Sequence, residues 1–396
     1  MTSTRTPAGY WTIWSTVALD LIGFGIVVPI LAIYAERFGA SGVQVGWLFA
    51  TFSLAQFVCA PLLGRLSDRI GRKPVIVISL VGTAVGSLVT GLAGSLWVLF
   101  LGRAIDGASG ASLSVAQAAV ADMATPEQRP RLVGMLGAAF GVGFVLGPAI
   151  GGLAALGGPA VPFFVAAGLA AVNAVAAIVR LPETRRPGTD AAVARRRLGA
   201  VPEVPVLRRL AAVGFLATLG FVAFEATFSL FGSARFELTE GSAAVVFLGI
   251  GIVLVAVQGG AFAVVTRRVG VPRLYAAGLA LVVVGLAVTS AATQWVELVA
   301  GLALLAVGQG VASPALIELV NRAAPVERRG EAMGFQQAMS AVARVAGPPL
   351  AGAAYDGIGV WSPMAAASVV TALALGLVVA SRAHLTGSIG AVRRAA

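Results

Sequence analysis

The chain has 396 residues, 58% of them hydrophobic and 11% charged, with a net charge of +11 from 28 Lys and Arg against 17 Asp and Glu. A soluble domain carries about 25% charged residues and a single core stops growing near ~250–300 residues, so this composition excludes a soluble globular enzyme; it also excludes a disordered chain, which would lack apolar residues. One cysteine, Cys59, and one histidine, His384, leave no disulfide framework, no Cys-based zinc site and no His-rich metal centre.

A membrane-crossing helix needs about 20 mostly apolar residues. Apolar runs and polar breaks predict twelve such helices, at roughly 11–34, 45–64, 75–93, 97–121, 131–155, 160–181, 207–232, 242–266, 273–292, 296–320, 331–354 and 362–381. A membrane β-barrel would show short alternating segments instead. The expected fold is therefore all-α and membrane-embedded. With both termini placed in the cytoplasm, the predicted inner side takes 24 of the 28 basic residues, as the positive-inside bias requires. The basic charge thus reads as a topology signal, and no nucleic-acid partner is expected. The first helix is too long for a signal peptide and carries Asp20, so it is expected to be retained. The polar, Arg-rich stretch 182–206 reads as a cytoplasmic linker between an N-terminal six-helix bundle, 1–181, and a C-terminal one, 207–396. The two halves repeat at a shift near 200: Gly134 aligns with Gly334, and Gly147-Pro148 with Gly347-Pro348. Parallel duplication of six spans is a transporter architecture.

Taken in chain order, the chemistry-bearing residues begin in the first helix, LDLIGFGIVVPIL, with Asp20 near mid-span and Phe24 one turn on. The loop GRLSDRIGRKPV, 64–75, packs Arg65, Arg69, Arg72 and Lys73 with Asp68 into a turn flanked by Gly64 and Gly71. Both glycines are expected to permit close approach or unusual dihedrals, and Asp68 suits a helix N-terminus. In the fourth helix, LGRAIDGASGAS, Arg103 is an intramembrane cation, which is costly without a partner or a wet cavity. Asp106 shares its helix face at i+3, and is either its counter-ion or a proton site. The fifth helix carries Gly143, Gly147 and Gly151 on one face, with Pro148 and Gly152 beside them; such stripes let helix backbones touch. The seventh holds Glu225 among Phe221, Phe224 and Phe228, and the eleventh holds Arg344, which is either its fixed partner or a neighbour to a protonatable, substrate-facing Glu225. Glu318 precedes Arg322 by one turn and reads as an interfacial pair.

The 64–75 loop resembles the signature loop of the major facilitator superfamily. That resemblance implies two pseudo-symmetric six-helix bundles. It also implies a gating role for Gly64, Asp68, Arg69, Gly71, Arg72 and Lys73, with Arg72 paired to an acid at the inner end of helix four, where Asp122 stands. The second-half copy, RRVGVPRL, has Arg267 in place of the acid. GVGFVLGPAIGG is similar to the helix-five signature of drug:proton antiporters, and Asp20 stands where the first helix of tetracycline-type pumps carries an acid. Those pumps also carry an acid in helix three, where this chain has Gly86; the family's helix-four pattern has a Gln where this chain has Asp106.

The expected function is proton-driven efflux of amphiphilic small molecules or drugs by alternating access, the alternative being export of an endogenous sugar, amino acid or secondary product. A carboxylate in a low-dielectric cavity can gain and lose a proton near working pH, so Asp20, Asp106 and Glu225 are the expected coupling acids, with Arg103 and Arg344 as charge partners. Phe24, Phe221, Phe224, Phe228 and Gln258 are the expected cavity wall. No nucleotide motif GxxxxGK[ST] occurs and no nucleophile has a His base, so neither enzymatic activity nor a cofactor is expected, only the proton gradient. The expected partners are substrate, protons and lipid, with the protein a monomer in a bacterial cytoplasmic membrane.

Overall fold

The computed structural model describes residues 6–125, 127–185, 205–325 and 328–380; most of the linker 182–206 lies outside the described residues. Every described regular element is helical: α1 (Tyr10–Glu36), α2 (Gly42–Ile70), α3 (Arg72–Gly91), α4 (Leu96–Ser109), α5 (Ser112–Met123), α6 (Arg129–Ala155), α7 (Val161–Arg180), α8 (Pro205–Phe236), α9 (Glu240–Ala256), α10 (Phe262–Val269), α11 (Val271–Ala291), α12 (Trp295–Ala323), α13 (Arg329–Gly357) and α14 (Ser362–Ala380). Ten of the described helical stretches are long and apolar enough to cross a membrane, which makes this a multi-pass membrane protein.

Two predicted helices are not continuous. The fourth, expected over 97–121, breaks at Gly110–Ala111 into α4 and α5, because the sequence ASGAS offers small residues and a glycine with little helix propensity. The eighth, expected over 242–266, contains a π-helical turn, Val257–Ala261, between α9 and α10, around Gly259-Gly260. Elsewhere local chemistry sets the ends. Gly71, at φ 110°, separates α2 from α3, and Gly270, at φ 83°, separates α10 from α11; only glycine takes these angles without strain. Gln294 and Glu297 form a reciprocal capping box at the start of α12.

The chain clusters into two compact units. The first takes the described residues within 1–40, 51–195 and 239–248, the second those within 41–50, 196–238 and 249–396. The core of the first gathers Tyr10, Ile13, Val17, Val75, Leu80, Val115 and Leu136. Three long-range hydrogen bonds tie its α1: Tyr10 Oη donates to Leu132 O (2.9 Å), Trp14 Nε1 to Met135 O (2.9 Å), and Asn173 Nδ2 to Thr16 O (2.8 Å). The core of the second gathers Leu207, Leu210, Val271, Tyr275, Leu279, Leu319 and Val320.

The sequence repeat reappears as matched packing inside each unit. Gly102 of α4 faces Gly86 and Thr90 of α3, and Thr90 Oγ1 donates to Gly86 O (2.8 Å); Gly301 of α12 faces Gly285 and Thr289 of α11, and Thr289 Oγ1 donates to Gly285 O (2.8 Å). Small residues let these helix pairs touch along their backbones.

Candidate functional site

In the first unit three ionisable side chains meet within the membrane-spanning region. α1 is placed by the α6 stripe: a Cβ at Gly143 would lie 2.7 Å from Leu21 O, one at Gly147 2.6 Å from Gly25 Cα, and one at Gly151 3.1 Å from Ile26 O. The stripe therefore presses directly on the residues that follow Asp20. Gly152 faces elsewhere: a Cβ there would lie 3.0 Å from Ala244 Cβ. The break between α4 and α5 puts Ser112 at the head of α5, where its Oγ donates to Asp20 Oδ2. Gln56 Nε2 holds the break open by donating to Gly110 O at 2.8 Å. Among the described residues no Lys or Arg forms an ion pair with Asp20.

Arg103 and Asp106 are both buried, at 3% and 8% exposure, and Arg103 Nη1 donates to Asp106 Oδ2 at 2.8 Å. The guanidinium carbon lies 4.3 Å above the Phe52 ring, a cation–π contact. Arg103 Nε has no hydrogen-bond partner. Gly86 makes room for the pair: a Cβ there would lie 2.7 Å from Asp106 N. Asp106 and Arg103 thus form an ion pair within one helix. Asp20 is near enough for its charge to interact with that of Asp106.

In the second unit Glu225 of α8 and Arg344 of α13 interact electrostatically, but they form no ion pair within 4.0 Å; they are neighbours and not a closed pair. Phe224 and Phe228, expected on a cavity wall, have no open face. At 1% and 0% exposure they are inside an aromatic ladder on α8, with centroids 6.2 Å apart for Phe221–Phe224, 5.2 Å for Phe224–Phe228 and 6.5 Å for Phe228–Phe231. A helix with aromatics at every third or fourth position buries whichever face meets its neighbours, and periodicity does not say which face that is. Phe24 and Phe221 are half-buried and Gln258, in the π-helical turn, is exposed. Glu318 and Arg322 pair at 2.6 Å, both partly exposed.

At the α2–α3 junction Arg72 is the centre of a charge cluster. Its Nε donates to Asp122 Oδ2 (2.8 Å), and its Nη1 to Asp68 Oδ1 (2.7 Å) and Ser67 Oγ (2.8 Å). Asp68 also accepts from Arg185 Nη1 at 3.3 Å. Arg69 is exposed, and Gly64 lies inside α2 with open space around it. Close approach, expected of both loop glycines, is thus required only at Gly71, whose missing side chain is replaced by the Glu183 carboxylate.

Glu183, which sequence reasoning passed over, caps α3. It accepts from the backbone N–H groups of Arg72 (2.9 Å), Lys73 (3.2 Å) and Arg185 (3.0 Å). Burial pushes its carboxyl up, but the N–H groups of Arg185, Arg72, Lys73 and Thr184 outweigh this and hold it below the ordinary Glu value. The available signal was an acid directly after Pro182, where α7 ends. Its partner is a helix start 110 residues away, which no local pattern reveals. Among the described residues no cluster of three or more His, Cys, Asp or Glu is arranged to hold a metal ion.

The family profile described as Major Facilitator Superfamily matches residues 13–270 and 259–388. The chain is 30% identical over 356 residues to the tetracycline resistance protein, class C, of Escherichia coli, covering 87% of this chain and 88% of that protein. It is 29% identical over 380 residues to multidrug resistance protein 1 of Bacillus subtilis (strain 168), covering 93% and 96% respectively. Among solved structures, the human organic anion transporter MFSD10 (TETRAN) superposes with a TM-score of 0.70 at 26% identity, over 93% of this chain and 98% of that one.

Proposed function

This chain belongs to the major facilitator superfamily, and on that footing we propose that it is a proton-driven exporter of amphiphilic small molecules or drugs, working by alternating access in a bacterial cytoplasmic membrane with both termini in the cytoplasm. The relatives named for tetracycline and multidrug resistance support the substrate class. The observation that carries the reading is the asymmetry of the buried charges in the first unit. Arg103 is neutralised by Asp106, while among the described residues Asp20 has the Ser112 hydroxyl and no cation as its partner. An isolated carboxylate within a membrane is expensive and is stabilised either by a proton or by a cationic ligand. When the two compete for one acid, each lowers the affinity for the other, and exchange follows from linkage.

Asp20 is thus the first exchange acid. Glu225, whose neighbouring Arg344 leaves it unclosed, is the second. Asp106 keeps the Arg103 charge in place. Within the first unit Phe24 is half-buried, and within the second Phe221 is half-buried and Gln258 exposed, so each unit by itself offers apolar or amide surface of the kind that suits amphiphiles. The Asp68–Arg72–Asp122 cluster, braced by Glu183, acts as the cytoplasmic gate: Arg72 is buried while both of its acids are partly exposed, so water reaches the carboxylates as the pairs are broken and remade within a transport cycle.

The test is transport in proteoliposomes of tetracycline and a panel of fluorescent amphiphilic cations, with and without an imposed proton gradient. Accumulation should follow the gradient and be lost in Asp20→Asn and in Glu225→Gln. Movement that ignores the gradient, or that survives both substitutions, would overturn the proposal.

A further inference from the structure

The seam between α8 and α13 carries polar groups that packing does not call for. Residues 214, 218 and 225 share one face of α8, at i, i+4 and i+11, and residues 336, 340 and 344 share one face of α13, at i, i+4 and i+8. The two faces meet at two levels. The Gln336 amide fills the space a side chain at Gly214 would need. Thr218 Oγ1 and Ser340 Oγ are 3.3 Å apart, and Gln336 Nε2 donates to Ser340 Oγ over 3.4 Å. Beyond these contacts, Arg344 on the same face of α13 interacts electrostatically with Glu225 without closing an ion pair. At 1.5 Å per residue the stripe from Gly214 to Glu225 runs about 16 Å. It leads from mid-span toward the ends of the two helices that carry Arg208, Arg209, Arg328 and Arg329.

As staples these contacts are poor. Polar bonds between membrane helices average about 0.6 kcal/mol, and the 3.3 Å between Thr218 Oγ1 and Ser340 Oγ exceeds the ~2.7–2.8 Å of a tight O–H···O bond. The hydroxyls are therefore free to exchange partners. Gln336 is buried, at 6% exposure, and its Oε1 has no hydrogen-bond partner. A buried acceptor left so costs about 1–3 kcal/mol, a penalty that an apolar residue at 336 would avoid.

We propose that Thr218, Ser340 and Gln336 form the path along which Glu225 exchanges its proton with the arginine-bearing end of α8 and α13. The inference rests on Glu225 being a proton carrier, as in the preceding reading. Seven residues, about 10 Å, separate Thr218 from Glu225, so water bridges that interval. The Glu225 O–H bond breaks as a water oxygen takes the proton, and water passes one proton to Thr218 Oγ1. Thr218 gives its own hydroxyl proton to Ser340 Oγ, and Ser340 releases its proton onward. Each oxygen ends with the protons it began with, and one proton has moved, leaving the Glu225 carboxylate. Gln336 is a positioning residue: its Nε2–H holds Ser340 Oγ, and its Oε1 receives the next water.

The test follows the Glu225 carboxyl itself, by time-resolved infrared spectroscopy of the purified full chain after a pH jump, with the band identified by its loss in Glu225→Gln. Thr218→Val and Ser340→Ala should slow the relaxation about tenfold without moving its equilibrium midpoint, while Thr218→Ser, which keeps the hydroxyl, relaxes like the parent protein. A purely structural role would shift the midpoint or leave the rate alone. Equal rates in all variants, a shifted midpoint, or no carboxyl band that titrates would overturn the inference. No substrate enters the measurement, so its failure is distinct from a failure of gradient-driven export.

Discussion

Neutralising one member of the Arg103–Asp106 pair should expose how strongly the pair is coupled. Both side chains are buried and joined by one 2.8 Å bond. Two unit charges at ~4 Å interact by about 4 kcal/mol at an effective dielectric of 20, and breaking a buried pair by removing one partner costs about 3–5 kcal/mol. Asp106→Asn leaves a guanidinium that cannot shed its proton, with Nε already unpartnered. What remains is the Phe52 face at 4.3 Å, worth up to about 2 kcal/mol when desolvated. Arg103→Met leaves a carboxylate that can neutralise itself by taking a proton. The single substitutions should therefore differ: Asp106→Asn is expected to destabilise by about 3 kcal/mol or more, and Arg103→Met by less, its penalty shrinking further as pH is lowered. The double variant should recover most of the loss, because replacing both charges is close to neutral. The assay is reversible unfolding of the purified protein in mixed micelles, analysed as a double-mutant cycle. Additive single effects, or a smaller loss for Asp106→Asn than for Arg103→Met, would refute the counter-ion assignment.

Two further outcomes follow from the packing and from the cytoplasmic cluster. Gly147→Ala places a methyl 2.6 Å from Gly25 Cα, so overpacking of about 1–3 kcal/mol should exceed the ~0.5–1 kcal/mol that Ala gains over Gly in a helix. Gly137→Ala, on the same helix in open space, should instead raise the thermal midpoint; equal midpoints for the two variants would contradict the α1–α6 contact. Glu183 titrates below its ordinary 4.5 in the folded protein. Its cap is thus fully present above the unfolded value and is lost as pH falls through the lowered folded value. Glu183→Gln should flatten that acid limb of the stability profile while leaving the neutral-pH fold intact, and an unchanged acid limb would remove Glu183 from the cap.

Hydropathy and charge are properties of local composition, so the chain's membrane character and its many apolar helices were legible without coordinates, as was the duplication that the Gly86–Gly102 and Gly285–Gly301 packing repeats in three dimensions. The neighbourhood of Arg103 and Asp106 was legible for the same reason, since i and i+3 always share a helix face. Their pairing was not, because it depends on α3 offering Gly86, and α2 offering Phe52, to that face. The break at Gly110–Ala111 that brings Ser112 to Asp20, the burial of Phe224 and Phe228, and the Glu183 cap on α3 were likewise invisible. Sequence periodicity states which residues lie on a common face of one helix. Which face meets which neighbour is a sum of contacts between residues on different helices, far apart in sequence, and it is decided only when the helices pack.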